Sequence, residues 1–204
     1  MSNRNTSDGS VKRRTFLGGL LLAGVLPSTA LAHRKKARKD FPEKFLPQLV
    51  NTNRTDWEPG SIHVIPDDFF LFFMLQEGLA IRYGVGVGRK GLYEAGTFTV
   101  ARKAKWPRWR PTNAMIKREP HIYKKFANGM KGGPNNPLGA RALYLYDDAG
   151  RDTYLRIHGT NQPGTIGSAV SNGCARLTNE HIKELYGRVE IGSLVYLHPK
   201  TAGV

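Results

Sequence analysis

The sequence predicts a mainly β fold, a sandwich or barrel of short strands with one or two short helices. Two observations carry this expectation. Short apolar runs recur between clusters of Gly, Pro, Asp and Asn, the pattern of strands joined by turns. Strong helical spacing occurs once, late in the chain, at Ile182, Leu185, Tyr186 and Val189. With 204 residues, 40% of them apolar, the chain can bury one core. No repeat and no second domain is visible.

Residues 1–32 read as an export signal and not as part of the fold. Lys12, Arg13 and Arg14 lead into Thr15-Phe16-Leu17. An apolar run from Phe16 to Leu26 follows, Pro27 and Ser28 break it, and Ala30-Leu31-Ala32 offers a cleavage site. The run is too short to cross a bilayer as a stable helix. The arginine pair, the aromatic-Leu pair behind it and the dilution by Gly18, Gly19 and Gly24 favour the twin-arginine route over an ordinary Sec signal. Cleavage after Ala32 would leave residues 33–204 in the periplasm or an equivalent envelope space, with no membrane anchor.

Of the formal charge of +15, four cations (Arg4, Lys12, Arg13, Arg14) and one acid (Asp8) in the signal account for +3, leaving +12. Such a charge favours anionic partners, and export argues against nucleic acid. A wall or outer-membrane surface fits better; charge that serves only solubility is the alternative.

The elements of the mature chain follow in order. His33 to Lys39 is a basic tether. Residues 40–60 carry Pro42, Pro47 and Pro59 and read as an extended arm, docked through Phe41, Phe45, Leu46 and Val50. The tether and arm (33–58) precede a catalytic-sized domain, 59–198, and a short tail, 199–204. Ser61 to Ile65 is a strand, and Pro66-Asp67-Asp68 a turn. Phe69 to Leu75 is apolar enough to be buried on both faces. Gln76-Glu77-Gly78 turns the chain into Leu79 to Val87, and Thr97 to Ala101 is a further strand. Residues 102–137 break the rhythm: they are basic, rich in Pro and Gly, and contain a short helix at about Asn113 to Phe126. A long irregular excursion in a compact β domain is more often a functional loop than filler. Trp106 and Trp109 within it are read as surface groups, with core packing as the alternative. Ala142 to Tyr146 and Thr153 to Ile157 flank Asp147-Asp148-Ala149-Gly150, a hairpin turn. Asn179 to Val189 is the late helix, capped by Thr178 or Asn179, and Ser193 to Leu197 the last strand.

The stretch from Ile157 to Leu177 holds the chain's single cysteine, Cys174, and His158 sixteen positions before it. Gly159, Gly164, Gly167, Ser168, Ser171, Asn172 and Gly173 lie between. Such residues bury little apolar surface and favour turns. A lone Cys in a Gly/Ser loop with a nearby His is a candidate thiolate nucleophile with its base. The competing reading is a small buried thiol and an unrelated His. One cysteine excludes an intrachain disulfide and any Cys-rich zinc site. His33, His63, His121, His181 and His198 show no metal-ligand spacing, and GVGVGRKG lacks the GxGxxG dinucleotide spacing. No metal and no cofactor is expected.

The pattern His158-Gly159-Thr160, Ile166-Gly167, Ser171-x-Gly173-Cys174-x-Arg176 resembles the signature of the L,D-transpeptidase catalytic domain family of bacterial cell-wall enzymes. PGSIHVIP, GVGVGRKGLYEAGTFTV, WPRWRPTNAMI, GGPNNPLGARALYLY and IGSLVYLHP resemble successive blocks of its periplasmic branch, over about residues 59–198. The resemblance implies a β-sandwich with a cleft beside a Cys-bearing catalytic loop. It implies acyl transfer, with a wall tetrapeptide ending in meso-diaminopimelate-D-Ala as donor. Cys174 attacks, D-Ala leaves, and the thioester passes to an amine on another stem, giving a 3→3 cross-link. Related members join the stem to an outer-membrane protein amine or hydrolyse it. Where many members carry His before the Gly-Cys pair, this chain has Asn172.

The resemblance assigns His158 as general base and acid, oriented by the backbone carbonyl of Gly159. The amides of Gly173 and Cys174 are the expected oxyanion donors. Ser171 orients the loop or the histidine, or is a plain turn residue. Arg176 binds a substrate carboxylate or ties the loop to backbone carbonyls. Trp106, Trp109, Asn172, Gly133 and Tyr144 are expected to line the cleft. The partners are peptidoglycan stem peptides, with an outer-membrane protein as the alternative acceptor, and the protein is expected to be a monomer. A non-catalytic wall-binding module is the reading from a different class.

Overall fold

A computed structural model describes residues 41–201. The expected export signal, the basic tether up to residue 40 and the last three residues lie outside the described residues. The fold is mostly β. Eleven strands run β1 (Gln48–Asn51), β2 (Ile62–Ile65), β3 (Phe70–Gln76), β4 (Leu79–Gly84), β5 (Val87–Gly88), β6 (Gly96–Lys105), β7 (Arg141–Tyr146), β8 (Asp152–His158), β9 (Ala169–Ser171), β10 (Ala175–Arg176) and β11 (Leu194–Leu197). The helices are α1 (Asn113–Arg118), α2 (Pro120–Tyr123) and α3 (Asn179–Arg188).

Nine strands form one sheet in the order β1-β4-β3-β2-β11-β6-β7-β8-β10, and β5 pairs with β9 apart from it. The large sheet does not stay open. Just past β4, Gly86 exchanges two backbone bonds with Arg176 on the far edge strand, N–H to O at 2.9 and 2.8 Å. One sheet end is thereby drawn against the other. The buried side chains form one core joining Ile62, Leu71, Tyr83, Val100, Leu143 and Ile157, with Ile182 and Leu185 of α3 inserted. Burial of this kind contributes about 1.5–3 kcal/mol per large aliphatic side chain.

The hairpins form where the turn residues place them. The strand read as Leu79 to Val87 ends at Gly84, because Val85 and Gly86 leave the sheet to reach the Cys-bearing loop. The expected helix at Asn113 to Phe126 is two short helices and a 3-10 turn. Pro120 forces the preceding Glu119 out of the helical region, to φ −138° and ψ 66°. Thr178 caps α3, its Oγ1 accepting from the His181 N–H at 3.1 Å. Asn179 instead accepts from the Ala140 N–H at 2.9 Å, tying α3 to the start of β7.

The arm departs from expectation in one respect. It is not merely docked: β1 pairs antiparallel with β4 and forms an edge of the sheet. Phe45 is buried, edge-on to Phe70 and closed over Gly84 and Gly167. Leu46, expected to dock, is 41% exposed, because its neighbour Phe45 takes the inward position. Short apolar residues at an edge carry no such signal, since only the pairing partner decides which way they face.

Candidate active site

His158 ends β8, and Cys174 stands immediately before β10. The two strands are parallel neighbours, with Ala175 opposite Ile157 and Arg176 opposite His158. Parallel neighbours need a crossover. Here residues 159–174 make it without a regular helix, and β9 pins the return by pairing with β5. The crossover brings Cys174 back beside the strand that carries His158. Both side chains line one cavity of about 770 Å³, as do Tyr144, Trp109, Asn172 and Arg176.

The turn before the cysteine is built from backbone constraints. Gly173 has φ +120°, and a Cβ there would lie 2.9 Å from the Leu92 carbonyl oxygen. Only glycine occupies that position without strain. Gly88 of β5 meets the Gly173 Cα at a virtual Cβ distance of 3.0 Å and Gly86 meets the Thr165 oxygen at 2.9 Å, so these two glycines of GVGVG serve close packing on the Cys loop, while Gly84 lies under Phe45. Ser171 Oγ donates to the Cys174 carbonyl at 2.6 Å and accepts the Gly173 N–H at 3.3 Å. Its hydroxyl bonds therefore hold the loop and not the histidine. The Gly173 N–H, expected to face an oxyanion, already has this long bond inside the loop.

His158 is buried, and its Nδ1–H donates to the Gly159 carbonyl at 2.6 Å. A carbonyl only accepts, so this contact fixes the proton on Nδ1 and leaves the lone pair on Nε2. Burial pulls the His158 pKa down to about 3; the Gly159 bond opposes this, and repulsion from Arg176 and Arg156 adds to it. Burial pushes the Cys174 thiol above its ordinary 9.0, while the Arg156 backbone N–H and the two guanidiniums pull it back. Both shifts disfavour charge, so the pair rests as thiol and neutral imidazole. Cys174 Sγ also lies 3.8 Å from the Tyr154 carbonyl. Tyr154 is exposed and sits at φ +62°, an uncommon conformation for an aromatic residue that turns its carbonyl towards the sulfur.

Arg176 is buried; Nη2 donates to Thr165 Oγ1 at 2.9 Å, and Nε has no hydrogen-bond partner. It ties the loop and lines the cavity at once. Asn172 joins the Cys loop to the excursion. Its Oδ1 accepts from Arg118 Nη2 at 2.7 Å and from Arg89 Nη2 at 3.4 Å, and its Nδ2 donates to Tyr123 OH at 2.8 Å. Arg89 also grips Glu119 with two bonds, at 3.1 and 2.5 Å. Trp109 packs on Tyr123 and Phe126, with centroids at 6.3 and 5.5 Å.

Two expected lining residues fall elsewhere. Trp106 is 42% exposed and lies outside the cavity lining, its backbone carbonyl pressed against Gly132. The cause is its φ of +45°, which ends β6 and turns the chain away from the cleft. Gly133 accepts the Asn136 N–H in a neighbouring turn and does not line the cavity either. Arg156 and Tyr154, which flank the sulfur, and Arg89, Arg118, Glu119 and Tyr123 were missed. Arg156 had a legible signal: it stands two residues before His158 in a strand, hence on the same face. The others sit on a segment whose approach to the loop is tertiary.

A family model described as YkuD, the L,D-transpeptidase catalytic domain, matches residues 59–197. The Escherichia coli K12 protein named "Probable L,D-transpeptidase YbiS" is 38% identical over 113 residues, 54% of this chain and 35% of the relative. The chain thus spans about a third of that relative's length. A solved Brucella melitensis structure, named "Probable carnitine operon oxidoreductase caia", is 46% identical, covers 79% of this chain and 94% of the other, and has a TM-score of 0.52. The Ldtfm-avibactam carbamoyl enzyme is 20% identical, covers 71% of this chain and 51% of the other, and has a TM-score of 0.52; it shares the fold. Because the family model spans more than half of the chain and includes both His158 and Cys174, the protein belongs to the L,D-transpeptidase catalytic domain family.

Proposed function

We propose that the protein is an exported peptidoglycan L,D-transpeptidase that works through a Cys174 thioester and forms 3→3 cross-links. The observation that carries this reading is the shared cavity of Cys174 and a His158 whose Nε2 lone pair is fixed by the Gly159 contact. Nε2 takes the thiol proton as the sulfur attacks the carbonyl carbon on the L-centre of diaminopimelate. The charge forming on the carbonyl oxygen meets the backbone N–H groups of the loop, that of Cys174 first. The carbon–nitrogen bond breaks, the imidazolium returns its proton to the departing D-Ala amine, and a thioester remains. An acceptor amine then attacks the thioester, loses its proton to Nε2, and regenerates the cysteine.

The resting neutral pair suits this sequence. A buried thiol paired with a neutral base stays inert until substrate arrives, and burial strengthens each charge interaction as the transition state forms. Ser171 is assigned to holding the loop, and Arg176 to loop and substrate together. Location in the periplasm, export by the twin-arginine route with cleavage after Ala32, and a monomeric state belong to the same proposal. The domain limits, residues 59–198 with β1 of the arm added at the sheet edge, belong to it as well.

The thioester chemistry is common to two alternatives, transfer to a protein amine and hydrolysis. An oxidoreductase reading, as in the name of the Brucella relative, finds no dinucleotide fingerprint here: GVGVG packs on the Cys loop and precedes no helix. The test is intact mass spectrometry of residues 33–204 with a tetrapeptide ending in meso-diaminopimelate-D-Ala, followed by product analysis on sacculi. An adduct of the tripeptide acyl mass is expected for the native chain and none for Cys174→Ala. Tight sacculus binding with no adduct would return the protein to a wall-binding module.

A further inference from the structure

Four residues on four adjacent elements of the sheet form a ladder across the floor of the cavity. Arg102 of β6 is opposite Tyr144 of β7, and Tyr144 is opposite Arg156 of β8. Cys174 follows, since Ala175 is opposite Ile157 and the Arg156 backbone N–H reaches the Cys174 sulfur. Residues opposite each other in a sheet share a face. The side chains stack accordingly: the Arg102 guanidinium lies 3.5 Å from the Tyr144 ring centroid, and that of Arg156 lies 4.2 Å from it. All four line the same cavity.

The two guanidiniums are not equivalent. Arg156 is buried and held by both oxygens of Asp152, at 2.7 and 2.8 Å. Arg102 is exposed to the cavity and has no hydrogen bond or close ion pair among the described residues; it stacks on the ring face, and the carboxylate whose charge it feels, Asp152, is already held by Arg156. Stacking fixes the guanidinium plane and leaves its N–H fork unoccupied. The cavity is lined by six arginines (102, 108, 110, 118, 156 and 176) and one carboxylate, Glu94. An oriented fork that makes no hydrogen bond, beside a second cation that already occupies the nearby Asp152, has room for one further anion.

We propose that Arg102 is a specificity-determining residue that binds a carboxylate of the peptide substrate, three strands from Cys174. Three strand spacings put its Cα about 14 Å from that of the cysteine; its guanidinium, stacked over Tyr144, is one strand nearer, at about 10 Å, the span of about three extended peptide residues. The inference rests on the transpeptidase reading above. The carboxylate comes either from the acyl donor or from the amine acceptor, and the two sources act in different steps.

The test compares Arg102→Gln and Arg102→Lys with the native chain in two arms. In the first, thioester formation is timed by intact mass for a tetrapeptide ending in meso-diaminopimelate-D-Ala, and for versions with one carboxylate at a time replaced by carboxamide. In the second, decay of the preformed thioester is timed with an amine acceptor that carries a neighbouring carboxylate and with its carboxamide. Arg102→Gln is expected to slow one arm about tenfold, through KM more than kcat, with Arg102→Lys intermediate. That loss should vanish for the probe whose critical carboxylate is amidated. Equal slowing of free and amidated probes, or slowing in neither arm, overturns the proposal. Unfolding midpoints of the variants separate a damaged fold from a lost contact. If the native chain forms no thioester with any probe, the transpeptidase reading itself fails.

Discussion

Asn172→Ala should release the excursion from the Cys loop. Helices α1 and α2 and the 3-10 turn at Lys124–Phe126 contribute no buried residue, so apolar burial does little to hold them. Side-chain bonds do most of it, and Asn172 supplies two good ones: 2.7 Å from Arg118 and 2.8 Å to Tyr123. The Arg89 contact at 3.4 Å is marginal. A neutral bond is worth about 1 kcal/mol net and a charged one about 1.5 at an exposed site, so their loss costs about 2–3 kcal/mol of local stability. The Arg89–Glu119 grip survives the change, so the segment opens more often but does not detach. A cost of about 2–3 kcal/mol raises the opening constant roughly 30- to 150-fold. Hydrogen exchange by mass spectrometry reads this directly: amides of 113–126 should exchange faster by that factor. Those of α3 should be unchanged and serve as the internal reference. Acceleration below about twofold in 113–126 would refute the anchoring role, whatever happened to activity. Turnover should fall as well, since the same bonds position the residue before Gly173.

Three further outcomes follow from the site and the core. His158 and His63 are each held at about 3 against an ordinary 6.5, by burial first, with cationic or histidine neighbours adding to it. Both are neutral in the fold while the unfolded chain protonates below 6.5; stability is therefore full near pH 7 and lost as pH falls towards 3. By pH 5 each should have cost about 2 kcal/mol, visible as a lower urea midpoint at constant m-value; a flat profile between pH 7 and 5 contradicts it. Alkylation of Cys174 by iodoacetamide should keep rising past pH 9, because burial raises the thiol; a plateau below pH 7 would mean a resting thiolate instead. Gly173→Ala places a Cβ 2.9 Å from the Leu92 oxygen at φ +120°, and should destabilise the fold by about 2–3 kcal/mol while abolishing thioester formation. Native-like unfolding and adduct formation in that variant would show that the turn tolerates another conformation.

The local features of this protein were legible because they depend on near neighbours in the chain. Asp147-Asp148-Ala149-Gly150 makes its hairpin and Thr178 caps α3, whereas the break at Pro120 was not read from the sequence, which predicts one helix over 113–126. The identity and spacing of His158 and Cys174 named the candidate pair, and the family match covers both. Tertiary structure decided what depends on partners distant in sequence. That β1 is an edge strand follows from β4, and that the sheet closes follows from Gly86 meeting Arg176. Trp106 and Gly133 share the composition of a cleft segment, yet the positive φ at Trp106 turns the chain away from the cavity. Asn172 could be named as an unusual residue, but its bonds to Arg118 and Tyr123 span 54 and 49 positions. The cross-sheet order Arg102, Tyr144, Arg156, Cys174 exists only once register is set, because pairing between strands, and not spacing along them, determines which side chains stack.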